Sequence, residues 1–70
     1  MEFNSRWQAT EIASMATLGS ELVLDIYLNR TTKLFIVADA KETRKPNPDE
    51  ILLSRYKKGY PVNESLINCL

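Results

Sequence analysis

Two short apolar runs decide the fold: Leu22-Val23-Leu24-Asp25-Ile26-Tyr27-Leu28 at positions 22–28 and Leu34-Phe35-Ile36-Val37-Ala38 at positions 34–38. Both runs are rich in β-branched and aromatic residues, and each has the length of a strand. Between them lies a polar loop, Asn29-Arg30-Thr31-Thr32-Lys33, which lacks an Asn-Gly turn signature. The segment from Glu21 to Asp39 therefore predicts an antiparallel β-hairpin.

One register of this hairpin gathers the aliphatic side chains on a single face. Its pairs are Leu28 with Leu34, Ile26 with Ile36, and Leu24 with Ala38. The other face then carries Tyr27, Phe35 and Val37, with Asp25 opposite Val37. A slip of one residue would mix the two faces, so the register that separates them is expected.

A helix is predicted upstream of the hairpin, over Ser5–Leu18. Ser5 suits the N-cap, Gln8 sits at the reciprocal capping-box position, and Gly19 suits the C-terminal stop. Apolar residues recur at helical spacing on one face: Ala9, Ile12, Ala13, Met15 and Ala16. A strand over Trp7–Ile12 is the alternative for this segment.

A second helix is predicted downstream of a polar connection at 40–46. Asn47 caps it, Pro48 takes the first helical position, and Glu50 completes a capping box. Gly59 ends this helix. Its apolar surface comes from Ile51, Leu52, Leu53 and Tyr56. A short final helix is expected to start near Asn63.

The element order α-β-β-α-α predicts one small α+β domain over residues 1–70, with a central antiparallel hairpin packed by short helices. A lone two-stranded hairpin is only marginally stable in water. Either the helices must cover its aliphatic face, or a second hairpin must extend the sheet. A dimer is a further way to extend it.

Composition excludes several classes of chemistry. The chain has 70 residues, of which 44% are hydrophobic and 26% charged, as in a globular domain. It has no histidine, so the commonest general base and the usual nucleophile triads are absent. Cys69 is the only cysteine, which rules out an internal disulfide and, without histidine, a typical zinc site. We therefore expect no enzyme, no cofactor and no metal.

Charge is balanced overall but uneven along the chain. Nine basic side chains match nine acidic ones, yet residues 1–29 carry −3 and residues 30–70 carry +3. Such a dipole can orient a charged partner. No secretory signal and no apolar stretch of about 18–20 residues is found. We therefore expect a cytoplasmic protein with a reduced thiol.

The function expected from these features is the binding of another protein. The hairpin is apolar on both faces, and one layer of short helices covers only one face well. The remaining apolar surface must meet another copy of the chain or a different protein. We therefore predict a small regulatory or inhibitor protein, expected to be a homodimer. Its predicted anchors are Trp7, Tyr27, Phe35, Val37 and Tyr60.

The alternative is a nucleic-acid-binding regulator. Basic side chains occur at the hairpin tip, in the 41–45 connection and at the end of the third element. The residues assigned to phosphate contacts are Arg30, Lys33, Arg44, Lys45, Lys57 and Lys58. Tyr27 and Phe35 would stack on bases if exposed. The final helix carries Glu64 and no basic residue, which suits a recognition helix badly, so protein binding is favoured.

Overall fold

A computed structural model describes residues 1–42, 45 and 47–62 of the chain. These residues form one helix and five strands: β1 (Glu2–Phe3), α1 (Arg6–Thr17), β2 (Val23–Asn29), β3 (Phe35–Asp39), β4 (Glu50–Lys57) and β5 (Tyr60–Val62). The strands make one antiparallel sheet in the order β1-β3-β2-β4-β5, and α1 contacts all five. The predicted α+β class, first helix and central hairpin are confirmed.

Helix α1 lies close to the sheet because its buried face is made of small residues. Ala9, Ala13 and Thr17 are fully buried and recur every fourth position. Ser5 is the N-cap, but its side chain makes no capping hydrogen bond, so that part of the prediction is wrong. Gly19 follows the helix with φ +71°, a left-handed conformation that ends helices, as predicted.

The β2–β3 hairpin is present, but its predicted register is wrong by one residue. The observed pairs are Leu28 with Phe35, Ile26 with Val37, and Leu24 with Asp39. The loop sets this register. The Asn29 side chain accepts the N–H groups of Thr31 and Thr32, and Lys33 adopts φ +63°. The Asn29 carbonyl accepts the N–H of Lys33 at 2.8 Å, and the N–H of Leu34 donates to the Thr32 hydroxyl at 3.3 Å, so Leu34 belongs to the loop.

The slip changes which residues form the core. The buried cluster under α1 joins Ala9 and Ala13 to residues of three strands: Leu24, Ile26, Val37 and Tyr56. Phe3, Phe35 and Leu53 are partly buried and pack against it. Phe35 and Val37 were expected on the second face of the hairpin and lie on the core side instead. Ile36, expected in the aliphatic face, lies on the other side of the sheet by strand alternation.

The third segment is a strand, so the helix predicted from Asn47 is wrong, and with it the order α-β-β-α-α. The Asn47 side chain accepts the N–H of Asp49 at 2.9 Å, and the Asn47 carbonyl accepts that of Glu50 at 3.0 Å. These bonds make a turn that leads into β4 rather than a helix cap. The residues that follow pair with β2 along its whole length, with one bulge at Leu53.

A second hairpin, β4–β5, extends the sheet. Such a hairpin is one of the ways predicted from the sequence to stabilise the central one. Lys58 and Gly59 connect its strands with φ +56° and +88°. Positive φ at both central residues is the type I′ turn that suits a two-residue hairpin loop. Gly59 therefore serves a hairpin turn and not a helix end. The final helix predicted from Asn63 lies outside the described residues.

Candidate functional site

An open groove of about 530 Å³ lies between α1 and the β4–β5 hairpin. Its lining is mostly apolar and comes from two elements. The residues on α1 are Trp7, Thr10, Glu11, Ser14 and Met15, and those on the hairpin are Tyr56, Gly59, Tyr60 and Pro61. A concave, mostly apolar surface with a few polar groups is typical of a binding site.

Two hydrogen bonds hold the walls of the groove together, and both involve the backbone of Gly59. The Ser14 hydroxyl donates to the Gly59 carbonyl at 2.7 Å. The Gly59 N–H donates to the Thr17 hydroxyl oxygen at 3.0 Å. That hydroxyl donates in turn to the Ala13 carbonyl at 2.8 Å. The helix and the turn are therefore fixed relative to each other before any partner arrives, which lowers the entropic cost of binding.

Glycine suits position 59 chiefly because of its backbone conformation. Its φ of +88° is rarely adopted by residues with a side chain. A Cβ atom placed on Gly59 would also lie 2.9 Å from Leu18 Cδ1, the tip of an exposed side chain that would have to turn aside. The backbone conformation of the turn is therefore the main reason for glycine at this position.

Large apolar side chains are exposed on and beside both walls. Trp7 is 71% exposed and Met15 65% on α1, and Tyr60 is 73% exposed on the hairpin. Glu11 lies between Trp7 and Met15, one helical turn from each, so these three residues share one stripe of the helix. Single exposed apolar residues are ordinary, whereas several of them around one groove are typical of an interaction site.

The structure brings two of the five predicted protein-binding residues to this groove. Trp7 and Tyr60 line it from opposite walls. Val37 is buried in the core at 6% exposure, and Phe35 packs against the core. Tyr27 is half-buried on the other face of the sheet, where it pairs with Leu52 in β4. The predicted docking face of the hairpin therefore does not exist as one surface.

An ion pair that the sequence did not reveal lies on the face of the sheet away from α1. Arg55 in β4 is the neighbour of Asp25 in β2. The guanidinium donates Nε to Asp25 Oδ1 at 2.7 Å and Nη2 to Oδ2 at 3.1 Å. The side chain of Asp25 is 3% exposed, whereas that of Arg55 is 34% exposed. This two-pronged bond satisfies a buried carboxylate and links β2 to β4.

The basic residues of the nucleic-acid alternative do not form one patch among the described residues. Arg30 and Lys33 lie in the β2–β3 loop, whereas Lys57 and Lys58 lie at the β4–β5 turn. Because Lys57 pairs with Val23 at the start of β2, these two groups lie at opposite ends of the sheet, about 20 Å apart. Arg30 donates to the Pro48 carbonyl, and Lys58 pairs with Glu21 at 3.2 Å. Lys45 is exposed, and Arg44 lies outside the described residues.

Sequence reasoning missed seven of the nine groove residues, among them Glu11, Met15 and Pro61. Met15 was assigned to the apolar face of α1, but it lies two positions from Ala13 and therefore points away from the sheet. The spacing of Trp7, Glu11 and Met15, with one helical turn between neighbours, is the signal that could have found the stripe.

In the part of the chain that the structure describes, no three His, Cys, Asp or Glu side chains lie close enough together to hold a metal ion. No helix of residues 1–42, 45 and 47–62 is both long and apolar enough to cross a membrane.

Comparison of the whole chain with known proteins gives no match. This holds for family models, for curated proteins and for solved structures.

Proposed function

We propose that this chain is a small non-enzymatic regulatory or inhibitor protein that binds another protein through the groove between α1 and the β4–β5 hairpin. The observation that carries the proposal is the exposure of Trp7 and Tyr60, at 71% and 73%, on the two walls of one groove. Tryptophan and tyrosine dominate the binding energy of many interfaces because they bury large areas at low entropic cost.

The rigidity of the groove supports the proposal. Its walls are joined through Gly59 by bonds to Ser14 and to the buried Thr17. A partner that enters therefore meets a formed surface and does not have to order it. The absence of histidine from the sequence removes the commonest acid–base catalyst, which favours binding over catalysis. A lone cysteine is in keeping with a cytoplasmic location.

Strand pairing contributes less to the proposed interface than side chains do. The sheet ends on one side in β1, which has two residues, and on the other in β5, which has three. Pro61 lies in the middle of β5 opposite Tyr56, next to the hydrogen-bonded pair that closes the turn. By the alternation of antiparallel ladders its nitrogen faces outward, where it has no N–H to offer another strand. The homodimer expected from the sequence stays a prediction, which sedimentation equilibrium at micromolar concentration tests.

Affinity capture with matched variants tests the function. The full chain, Trp7→Ala and Gln8→Ala are immobilised and exposed to lysate of the source cell, and retained proteins are identified by mass spectrometry. Trp7 and Gln8 are neighbours and both exposed, so neither change should unfold the chain. We expect one protein on wild type and Gln8→Ala columns that is lost on Trp7→Ala. Identical retention by all three columns would contradict the proposed site.

The nucleic-acid alternative has less support, because the basic residues that it needs are divided between the two ends of the sheet. It predicts retardation of DNA or RNA at low salt that weakens steeply as salt is added. Absence of retardation at low salt would dispose of it.

A further inference from the structure

The charge of the groove indicates what kind of segment fits it. Among the residues that line it, Glu11 is the one carboxylic acid, and none is lysine or arginine. Glu11 is exposed, and its side chain forms no hydrogen bond or ion pair with the described residues. The groove therefore combines apolar walls with one carboxylate that is available to a partner.

Glu11 and Trp7 are placed to act together. They are four residues apart on α1, which puts their Cβ atoms about 5–6 Å apart on the same face of the helix. An indole ring attracts a cation over its face, and a carboxylate accepts the forked N–H groups of a guanidinium. The planar guanidinium of arginine makes both contacts at once, whereas the ammonium of lysine makes them as a point charge.

The remaining lining suits an apolar neighbour of that arginine. Met15 lies one turn beyond Glu11 on the same stripe, and Pro61 lies on the facing wall. Methionine is an adaptable contact surface for apolar side chains.

We infer that the groove takes a partner segment that carries an arginine beside an apolar residue. The guanidinium stacks on the Trp7 indole and donates to the Glu11 carboxylate, and the apolar residue packs on Met15 and Pro61. This inference rests on the proposed function and names the partner chemistry of the same groove. Because both contacts are partly exposed, the arginine accounts for an affinity gain of about three- to tenfold.

The test selects ligands from a random peptide library on the immobilised full chain, with counter-selection on Trp7→Ala. Selected peptides are then synthesised with arginine or with citrulline, its neutral isostere, and titrated while the fluorescence of Trp7, the single tryptophan, is recorded. Glu11→Gln is the test variant. Glu2→Gln is the matched control, since Glu2 is exposed on β1, at the opposite edge of the sheet from β5.

We expect peptides enriched in arginine beside an apolar residue. Citrulline should weaken binding about three- to tenfold for the wild type and for Glu2→Gln. The factor should be smaller for Glu11→Gln, in which only the contact to Trp7 depends on the positive charge. Trp7-dependent peptides without arginine enrichment, or equal affinity of the arginine and citrulline forms, would overturn the inference and leave the proposed function standing. If no peptide distinguishes the wild type from Trp7→Ala, the proposed function and the inference both fail.

Discussion

Replacing Thr17 by valine tests whether the hydroxyl of this residue holds the β4–β5 turn on α1. Thr17 is fully buried, and its Oγ1 atom accepts the Gly59 N–H at 3.0 Å and donates to the Ala13 carbonyl at 2.8 Å. Valine has nearly the same shape, so Thr17→Val removes the hydroxyl without opening a large cavity. The Gly59 N–H is then left buried with no partner.

The size of the effect follows from that unsatisfied donor. Burying a backbone N–H without a hydrogen bond costs about 1–3 kcal/mol. Valine and threonine have similar helix propensities, so the local preference for helix changes little. We therefore expect Thr17→Val to lower the free energy of unfolding by about 1–3 kcal/mol. In a domain of this size, each kcal/mol lowers the melting temperature by about 4–8 °C.

Urea unfolding followed by circular dichroism measures the change, with Thr31→Val as the control. Thr31 is exposed in the β2–β3 loop, so the same substitution there should change stability by no more than about 0.5 kcal/mol. The peptides selected on the groove should also bind Thr17→Val more weakly, because its hairpin wall is no longer fixed. If Thr17→Val is as stable as Thr31→Val and binds these peptides normally, the hydroxyl does not hold the groove together.

Three other substitutions test further parts of the structure. Arg55→Met leaves the buried Asp25 carboxylate without its ion-pair partner and should lower the free energy of unfolding by about 3–5 kcal/mol. Asp25→Asn leaves a partly hydrated guanidinium instead and should lower it less. A lower urea midpoint for Asp25→Asn than for Arg55→Met would refute the argument from burial. Asparagine suits the first position of a type I′ turn, so Lys58→Asn should raise the free energy of unfolding by about 0.5–1 kcal/mol. Little is lost with the ion pair to Glu21, because that pair is exposed. A lower melting temperature would contradict the turn assignment. Gly59→Ala should cost about 1–3 kcal/mol, and an unchanged midpoint would show that the turn tolerates a Cβ atom.

The first helix and the central hairpin could be predicted because their signals are local and agree with each other. Segment 47–57 shows the limit of such signals. Asn47, Pro48 and Glu50 satisfy the rules for a helix start, but the same side-chain chemistry of Asn47 also makes a turn. Tertiary structure decides between helix and strand for this segment. The edge of β2 that faces away from β3 finds its hydrogen-bond partners only when residues 50–57 pair with it as a strand.

The register of the hairpin could not be predicted from the apolar pattern alone. The apolar pattern places Leu34 and Ile36 on the aliphatic face, because the residues of the loop do not reveal its length. The Asn29 side-chain bonds and the positive φ of Lys33 set that length, and they move Phe35 and Val37 to the core. A register argument therefore needs the loop geometry as well as the two strand patterns.

The site was partly predictable for a related reason. Selecting anchors by aromatic type identifies Trp7 and Tyr60, which are exposed and line the groove. The same criterion misplaces Phe35, whose exposure depends on the register. Pro61 joins the groove only because residues 50–62 form a hairpin, which the sequence did not predict.

The small buried face of α1 and the exposed groove have one physical cause. Alanine at positions 9 and 13 lets the helix backbone approach the sheet, so the space beneath α1 has no room for an indole. Trp7 and Met15 are therefore left on the outer side of the helix, next to the turn that Gly59 brings close. A side chain that is 71% exposed adds little to folding and increases the risk of aggregation. The partner proposed for the groove would cover Trp7 and remove that risk.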